Sequence, residues 1–166
     1  HLPEIRPKYD LRLYQPKDFD TVLDIAEASL KGYPNRFTLD PHIPKERAQT
    51  FYRQWTTNCC KGIIADEMLV AEIRGRVVGF LAYRINPALR GYTGVQIITD
   101  GLSGCYPIRF NAFLDLLREA TRRNLAFVDA IEAESHLFNV ATPTYYQRLD
   151  YKYLRARHSF HFWISG

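Results

Sequence analysis

The sequence has 166 residues, 46% of them hydrophobic and 24% charged, which suits one domain with a buried core and excludes a disordered chain. The formal net charge of +4 comes from basic residues scattered along the chain, which disfavours a nucleic-acid partner and suits a small anionic ligand. The three cysteines show neither zinc-site spacing nor a disulfide framework, and no apolar run approaches the roughly 20 residues that span a bilayer. We therefore expect a single cytoplasmic domain, residues 1–166, without a membrane partner.

The first half of the sequence predicts a strand, two helices and a hairpin. The segment "LRLY" at residues 11–14 is typical of a strand, and Asp18 is placed to cap a first helix that ends near "KGYPN". Apolar residues of a second helix recur at helical spacing: Ala48, Phe51, Tyr52, Trp55 and Cys59. From Glu67 the apolar period changes to two, and "RG" between two β-rich runs predicts a hairpin.

The second half of the sequence alternates between strands and helices. "YTGVQIIT" at residues 92–99 predicts a strand, and the glycine-containing "TDGLSGCYPIRF" at residues 99–110 predicts a loop before a helix that ends near Asn124. "AFVDAIEAE" predicts the next strand, "NVATPTYYQRLDY" a short helix and turn, and "KYLRARHSFHFWI" an alternating last strand. The predicted order is β, α, α, β, β, β, α, β, α, β.

This order, together with the segment "NVATPTYYQRLDY", resembles the GNAT (Gcn5-related N-acetyltransferase) superfamily. Family members often show Asn, Ala, Leu-Tyr and Leu-Gly-Phe at this spacing, and Asn139, Tyr146 and Leu149 match the pattern in identity. The resemblance implies an α/β fold with a central, twisted, mostly antiparallel mixed sheet and about four flanking helices. In that fold the fourth and fifth strands form a parallel pair that splays apart.

A finer resemblance lies in the second helix, the hairpin "LVAEIRGRVVGFLAYR" and the terminal "RHSFHFWI". These segments look most like the dTDP-amino-sugar (dTDP-fucosamine type) N-acetyltransferases. The resemblance implies direct transfer of an acetyl group from acetyl-CoA, as co-substrate, to a primary amine, with a nucleotide-linked amino sugar as the preferred acceptor.

The loop after the fourth strand binds the pyrophosphate of coenzyme A in the family, through backbone N–H groups that glycine leaves accessible. Here Gly101 and Gly104 are present, but Tyr106 and Ile108 stand where later glycines are expected, with Pro107 between them. The resemblance therefore implies a weaker pyrophosphate-binding loop, which we call the cradle. The Ser103 hydroxyl and the Arg109 guanidinium partly compensate for the missing glycines. The candidate residues of the cradle are Ser103, Gly104, Cys105, Tyr106 and Arg109. The alternative interpretation of "GLSGCYP" is a plain loop and turn.

The resemblance also implies contacts to the pantetheine arm. Backbone groups of Ile97 and Ile98 would pair with its amides if the two parallel strands splay apart. Asn139 would reach the arm from the start of the last helix, although capping that helix is an equally good explanation for this residue.

The family position of the general acid is occupied by Tyr146. A phenol with an ordinary pKa of about 10 stays protonated at neutral pH and can donate to the departing thiolate. The alternative role of Tyr146 is that of a core aromatic residue, with Tyr145 as its exposed neighbour.

For the base that accepts the amine proton, four residues on or after the fifth strand are candidates: Asp129, Glu132, Glu134 and His136. Glu134 and His136 lie nearest the carboxyl end of the strand, where α/β sheets usually open to ligands. The alternative for each of these residues is a plain surface position without a catalytic role. A chain of water molecules would then accept the amine proton. The five histidines lack ligand spacing, so we expect no metal.

Two rival functions remain open. The altered loop is compatible with a different donor, such as an acyl chain on acyl carrier protein, or with a degenerate domain that binds a ligand without catalysis. Aromatic residues of the last strand are candidates for a homodimer face. The sequence leaves the acceptor and the pathway open.

Overall fold

The computed structural model describes residues 7–31, 33–106 and 112–164. This part of the chain forms five strands and five α-helices: β1 Asp10–Leu13, α1 Phe19–Leu30, α2 Lys45–Cys60, β2 Glu67–Ile73, β3 Arg76–Asn86, α3 Pro87–Thr93, β4 Ile97–Cys105, α4 Ala112–Asn124, β5 Ala130–Glu132 and α5 Ala141–Arg148. The five strands form one sheet in the order β1-β2-β3-β4-β5. All neighbours are antiparallel except β4 and β5, which confirms the predicted mixed sheet and its parallel pair.

The hairpin between β2 and β3 forms at the predicted place. Arg74 and Gly75 both have positive φ, 49° and 74°, which is the backbone twist that a tight two-residue hairpin requires. Glycine takes this conformation without steric cost, so the "RG" pair fixes the register of the longest strands of the sheet.

The core has two layers, one on each face of the sheet. Along β3, Phe80 and Ala82 pack with Val22 and Ile25 of α1, whereas Leu81 and Tyr83 pack on the other face, which α4 covers. Because successive side chains of a strand point to opposite faces, a strand that is buried on both faces needs apolar residues at every position, as in "VVGFLAY".

Three features differ from the sequence prediction. A short helix, α3, precedes β4, and β5 has only three residues of the predicted nine-residue strand. Residues 152–164 form no strand with any described residue. Polar and apolar residues do alternate in this segment, but its side chains, and not a backbone ladder, hold it against the rest of the protein. Residues 107–111, where the predicted loop leads into the predicted helix, lie outside the described residues.

Candidate active site

Strand β4 continues through the predicted loop and ends at Cys105. Gly104 lies opposite Phe80 of β3, and a Cβ atom there would stand 2.9 Å from the Ser29 hydroxyl oxygen and 3.0 Å from the Phe80 ring. Glycine is therefore needed for the close packing of α1 on the strand. The prediction that Ser103, Gly104 and Cys105 belong to a loop is wrong, because these residues complete the antiparallel ladder with β3.

Gly101 forms a β-bulge in the middle of β4. Ala82 pairs with Leu102 and Tyr83 pairs with Asp100, so Gly101 has no partner residue on β3. A Cβ atom on Gly101 would stand 3.3 Å from the Ala82 carbonyl oxygen. The bulge bends β4 just beyond the end of its pairing with β5.

The parallel pairing of β4 and β5 ends at Thr99 and Glu132. Beyond this point no described strand pairs with the same edge of β4, and we call the space between the diverging ends the β4/β5 cleft. Ile97 and Ile98 lie before it, opposite residues of both β3 and β5. The expectation that their backbone groups are free to bind pantetheine is therefore wrong, because the neighbouring strands already occupy those groups.

The hydrogen-bond pattern identifies which backbone groups face the cleft. The Tyr106 N–H donates to the Val78 carbonyl at 2.9 Å, which makes Gly104 the residue that exchanges hydrogen bonds with β3. Since bonded and non-bonded pairs alternate along an antiparallel ladder, the backbone groups of Ser103 and Cys105 point the other way, toward the cleft. These two residues, rather than Ile97 and Ile98, are placed to pair with an extended amide-bearing ligand.

The predicted cradle continues past Tyr106 into residues 107–111. Arg109, Pro107 and Ile108 lie outside the described residues. Tyr106 itself is half-buried against the core cluster of α1 and α2, where burial and then the charge of Asp24 raise the pKa of its phenol. The chain is described again from Ala112, where α4 begins.

Tyr146 lies on α5, close to the carboxyl end of β5. Its hydroxyl group donates to the Glu134 carbonyl oxygen at 3.2 Å. Its ring centre is 5.4 Å from that of Tyr151 and 6.0 Å from that of Phe113, so the ring is also part of the core boundary. Tyr145 packs against the same Phe113, with a distance of 6.0 Å between the ring centres. Its catalytic role stays a prediction.

Asn139 caps the first turn of α5. Its side-chain oxygen accepts the Thr142 backbone N–H at 3.1 Å, and its amide nitrogen donates to the Thr142 hydroxyl at 2.7 Å. The capping explanation of Asn139 is thus confirmed, and its contact with a pantetheine arm stays a prediction.

The candidate bases lie along the segment that leaves β5. Glu134 is exposed, and its carboxylate is 3.1 Å from the Arg157 guanidinium. His136 is half-buried, with its ring centre 6.2 Å from that of Tyr33 in the connection after α1. Asp129 accepts the Gln96 backbone N–H at 2.8 Å, a structural bond that aligns the start of β5 with β4. Glu134 and His136 therefore stay as the predicted bases.

The comparisons with known proteins point to one fold. No family model matches the sequence. The spore coat polysaccharide biosynthesis protein SpsD of Bacillus subtilis (strain 168) is 22% identical over 157 residues, which are 95% of this chain and 52% of SpsD. The chain thus spans about half the length of the curated relative that it matches.

Solved structures cover almost the whole chain. A transcriptional regulator from Bacillus halodurans C-125 matches 93% of this chain and 99% of its own with a TM-score of 0.65 at 18% identity. An aminoglycoside 6′-N-acetyltransferase from Acinetobacter haemolyticus matches 94% and 99% with a TM-score of 0.64 at 13% identity. A GNAT family acetyltransferase from Brucella melitensis, in complex with acetyl-CoA, matches 84% and 79% with a TM-score of 0.56 at 19% identity.

The fold is that of the GNAT acetyltransferases. The predicted α/β architecture is confirmed with it. Helices α1 and α2 lie on one face of the GNAT sheet and α4 on the other, and the β4/β5 cleft opens at the carboxyl end of the parallel pair.

Burial makes all three thiols of the described residues poor nucleophiles. Burial raises the pKa of Cys59 to about 12 and shifts the pKa values of Cys60 and Cys105 in the same direction. For Cys105, beside the cleft, a hydrogen bond from the Phe113 N–H only partly opposes this rise. Because the thiolate is the reactive form, these cysteines are poorly suited to carry an acyl group.

Two further absences concern the described residues alone. They contain no group of three or more His, Cys, Asp or Glu side chains able to hold a metal ion. Their helices include none that is long and apolar enough to cross a bilayer.

Residues from the α1 side of the cleft were not found by sequence reasoning. Ser29 lies 2.9 Å from the Cys105 carbonyl oxygen, and Tyr33 contacts His136. Neither Ser29 nor Tyr33 carries a sequence pattern that distinguishes it from ordinary helix-end residues.

Proposed function

We propose that this chain transfers an acetyl group from acetyl-CoA to a primary amine without a covalent enzyme intermediate. The observation that carries the proposal is the edge of β4 beyond its pairing with β5, where the Ser103 backbone groups and the Cys105 N–H face a cleft with the Tyr146 hydroxyl near its β5 side. The Cys105 carbonyl oxygen already accepts the Ser29 hydroxyl at 2.9 Å. A GNAT fold combined with this edge supports a donor that binds as an extra strand.

The donor's pantetheine amides would pair with the free edge of β4 at Ser103 and Cys105. Its pyrophosphate would lie beyond Tyr106, toward the start of α4, where the first backbone N–H groups of a helix and its dipole favour an anion. Arg109 stays the predicted side chain for this contact. The excess of basic over acidic residues, 22 to 18, is compatible with an anionic donor and an anionic acceptor.

The amine nitrogen attacks the thioester carbonyl carbon, a C–N bond forms and the C–S bond breaks. Tyr146 gives its phenolic proton to the departing sulfur, and the extra amine proton passes to Glu134, His136 or water. Because the neutral amine is the nucleophile, the rate should rise as the pH rises through the pKa of the acceptor's ammonium group.

As acceptor we propose an amino group on a nucleotide-linked sugar. The support is the resemblance of the hairpin and terminal segment to dTDP-amino-sugar acetyltransferases, together with the likeness to SpsD, a polysaccharide biosynthesis protein. Among the structural neighbours, aminoglycoside acetyltransferases have names that specify an amino-sugar substrate.

A second candidate keeps the reaction and changes the donor to an acyl carrier protein. The specific observation in its favour is that Tyr106, half-buried in the core, stands where the family pattern expects a glycine. A carrier protein brings the same pantetheine arm to β4 but no free adenosine diphosphate to bind.

The test is acetyl transfer by the purified chain, followed as thiol release and by the mass of the product. The acceptor panel contains dTDP- and UDP-linked amino sugars, free glucosamine and an aminoglycoside, and the donors are acetyl-CoA and acetylated carrier protein. Acetyl-CoA with a nucleotide-linked amino sugar should give the largest kcat/KM. Transfer only from the carrier protein favours the second candidate. Acetyl-CoA binding without any transfer would leave a domain that binds without catalysis.

A further inference from the structure

The segment after α5 has two chemically different sides. On one side, Arg155 lies 3.1 Å from the Glu132 carboxylate, and the Trp163 indole N–H donates to the Asp40 carboxylate at 3.0 Å. His161 also hydrogen-bonds to Asp40. These odd-numbered residues fasten the segment to β5 at one end and to the connection between α1 and α2 at the other.

Four large apolar side chains of the segment occupy even-numbered positions and are exposed, and the remaining even-numbered positions are Lys152, Ala156 and His158. The four apolar side chains form what we call the tail strip, with exposed fractions of 77, 89, 91 and 86%: Leu154, Phe160, Phe162 and Ile164. Singly exposed apolar side chains are normal, but three at alternate positions, 160, 162 and 164, with a fourth six residues before them form a surface that favours a partner.

Side-chain hydrogen bonds to Asp40 fix the position of the segment that carries the tail strip. The side chain of Asp40 is 9% exposed and accepts the His42 backbone N–H at 2.9 Å in addition to its bonds from the segment. Yet the main chain of residues 152–164 makes no backbone hydrogen bond to any described residue. The segment therefore combines strand-like alternation, an apolar face and backbone groups without a ladder.

We propose that the tail strip is covered by the same strip of a second copy, with the two segments antiparallel about a twofold axis. An isologous contact of this kind needs only one self-complementary surface. The four side chains of the strip are uncharged, and Arg155 and Arg157 pair with Glu132 and Glu134 on the opposite side. His158 borders the strip, with its ring centre 6.3 Å from that of Phe160.

The area is sufficient for a specific dimer. With roughly 150 Å² for each phenylalanine and roughly 100 Å² for each of Leu154 and Ile164, the strip buries about 500 Å² per copy and about 1,000 Å² for the pair, which reaches the roughly 1,000 Å² that a biological interface requires. This inference does not depend on the proposed reaction.

The first test is the mass of the protein by analytical ultracentrifugation across a concentration series. The wild type should be a dimer that dissociates on dilution, and a Phe160→Ser, Phe162→Ser double variant should be a monomer. Tyr92→Ser is the matched control, because Tyr92 is an equally exposed aromatic residue, at 91%, that lies on α3 and is not part of the strip, so its loss should leave the dimer unchanged. A monomeric wild type at every concentration, or a dimeric double variant, would overturn the proposal.

The second test locates the twofold axis by cysteine crosslinking. Cysteine is introduced singly at Phe160, Phe162 and Ile164, with Ser159→Cys as the control of opposite parity. The native thiols are buried or half-buried, so oxidation should crosslink only introduced cysteines. One of the three strip positions should form a disulfide-linked dimer. No crosslink at any of them, or a monomer that instead sediments with phosphatidylglycerol vesicles, would contradict twofold pairing.

Discussion

The Ser29 hydroxyl oxygen lies 2.9 Å from the carbonyl oxygen of Cys105, which joins the end of α1 to the free edge of β4. The same hydroxyl is 2.7 Å from the Ile25 carbonyl oxygen, so it stands between a helix carbonyl and a strand carbonyl. The missing side chain of Gly104 provides the space for this approach. Helix α1 therefore sets the position of the strand edge on which the proposed donor binds.

Gly104→Ala should separate α1 from β4. The added Cβ would meet the Ser29 hydroxyl and the buried Phe80 ring, and overpacking of this kind costs about 1–3 kcal/mol. We expect a lower free energy of unfolding in urea and weaker acetyl-CoA binding. Gly91→Ala in α3 is the control, because no atom lies within 4 Å of its added Cβ and alanine favours the helix. Equal stability of Gly104→Ala and wild type would refute the packing argument.

Ser103→Pro should weaken donor binding without disrupting the sheet. The Ser103 N–H points to the cleft, so proline removes no bond to β3, and strands tolerate proline at a free edge. Loss of one hydrogen bond of about 1.4 kcal/mol corresponds to a tenfold higher Kd for acetyl-CoA. Ser103→Ala keeps the N–H and should bind as the wild type does. An unchanged Kd in the proline variant would remove this edge from the donor site.

Tyr146→Phe should separate catalysis from binding. The ring contacts with Phe113 and Tyr151 survive, and only the hydroxyl that donates to Glu134 is lost. We expect kcat to fall by about 100-fold or more, since this is the lower range for a general acid, with little change in the KM for acetyl-CoA. Tyr145→Phe is the neighbouring control. Wild-type turnover in Tyr146→Phe would assign the proton transfer to another group.

Asp40→Asn should make the thermal midpoint of the protein less sensitive to pH in the acid range. Hydrogen bonding, first from His161 and then from the His42 backbone and Trp163, holds the pKa of Asp40 well below its ordinary value. A lowered folded-state pKa stabilises the protein above the unfolded pKa of about 3.9, and that stability is lost as the pH falls below it. The thermal midpoint of the wild type should therefore drop more steeply below about pH 4 than that of the variant. Parallel curves would show that Asp40 is not the anchor of the segment.

The elements defined by local signals could be predicted from the sequence. The change to a period of two and the "RG" pair located the hairpin, and apolar spacing located α1, α2 and α4. These patterns depend on neighbours in the chain, so one sequence is enough to find them.

The extent of β4 could not be predicted in the same way. Glycine and aspartate are unfavourable in isolated strands, so "TDGLSGC" indicated a loop. In the fold, β3 supplies a complete ladder for this segment, and α1 needs the space at Gly104, so tertiary packing overrides local preference.

Contacts between residues that are far apart in the sequence could not be predicted either. His161 and Asp40 are 121 residues apart, and no local pattern links them. The roles of Tyr146 and Asn139 came from a resemblance to a family, and the structure adds their contacts: a hydroxyl near the end of β5 and a helix cap.

The measurement that tests the account most directly is a calorimetric titration of the wild-type chain with acetyl-CoA at low salt. If the free edge of β4 holds the donor, binding should saturate at one acetyl-CoA per chain with a Kd between about 1 and 100 μM, an ordinary range for an enzyme substrate. No heat and no shift in thermal midpoint with excess acetyl-CoA would contradict the proposed donor.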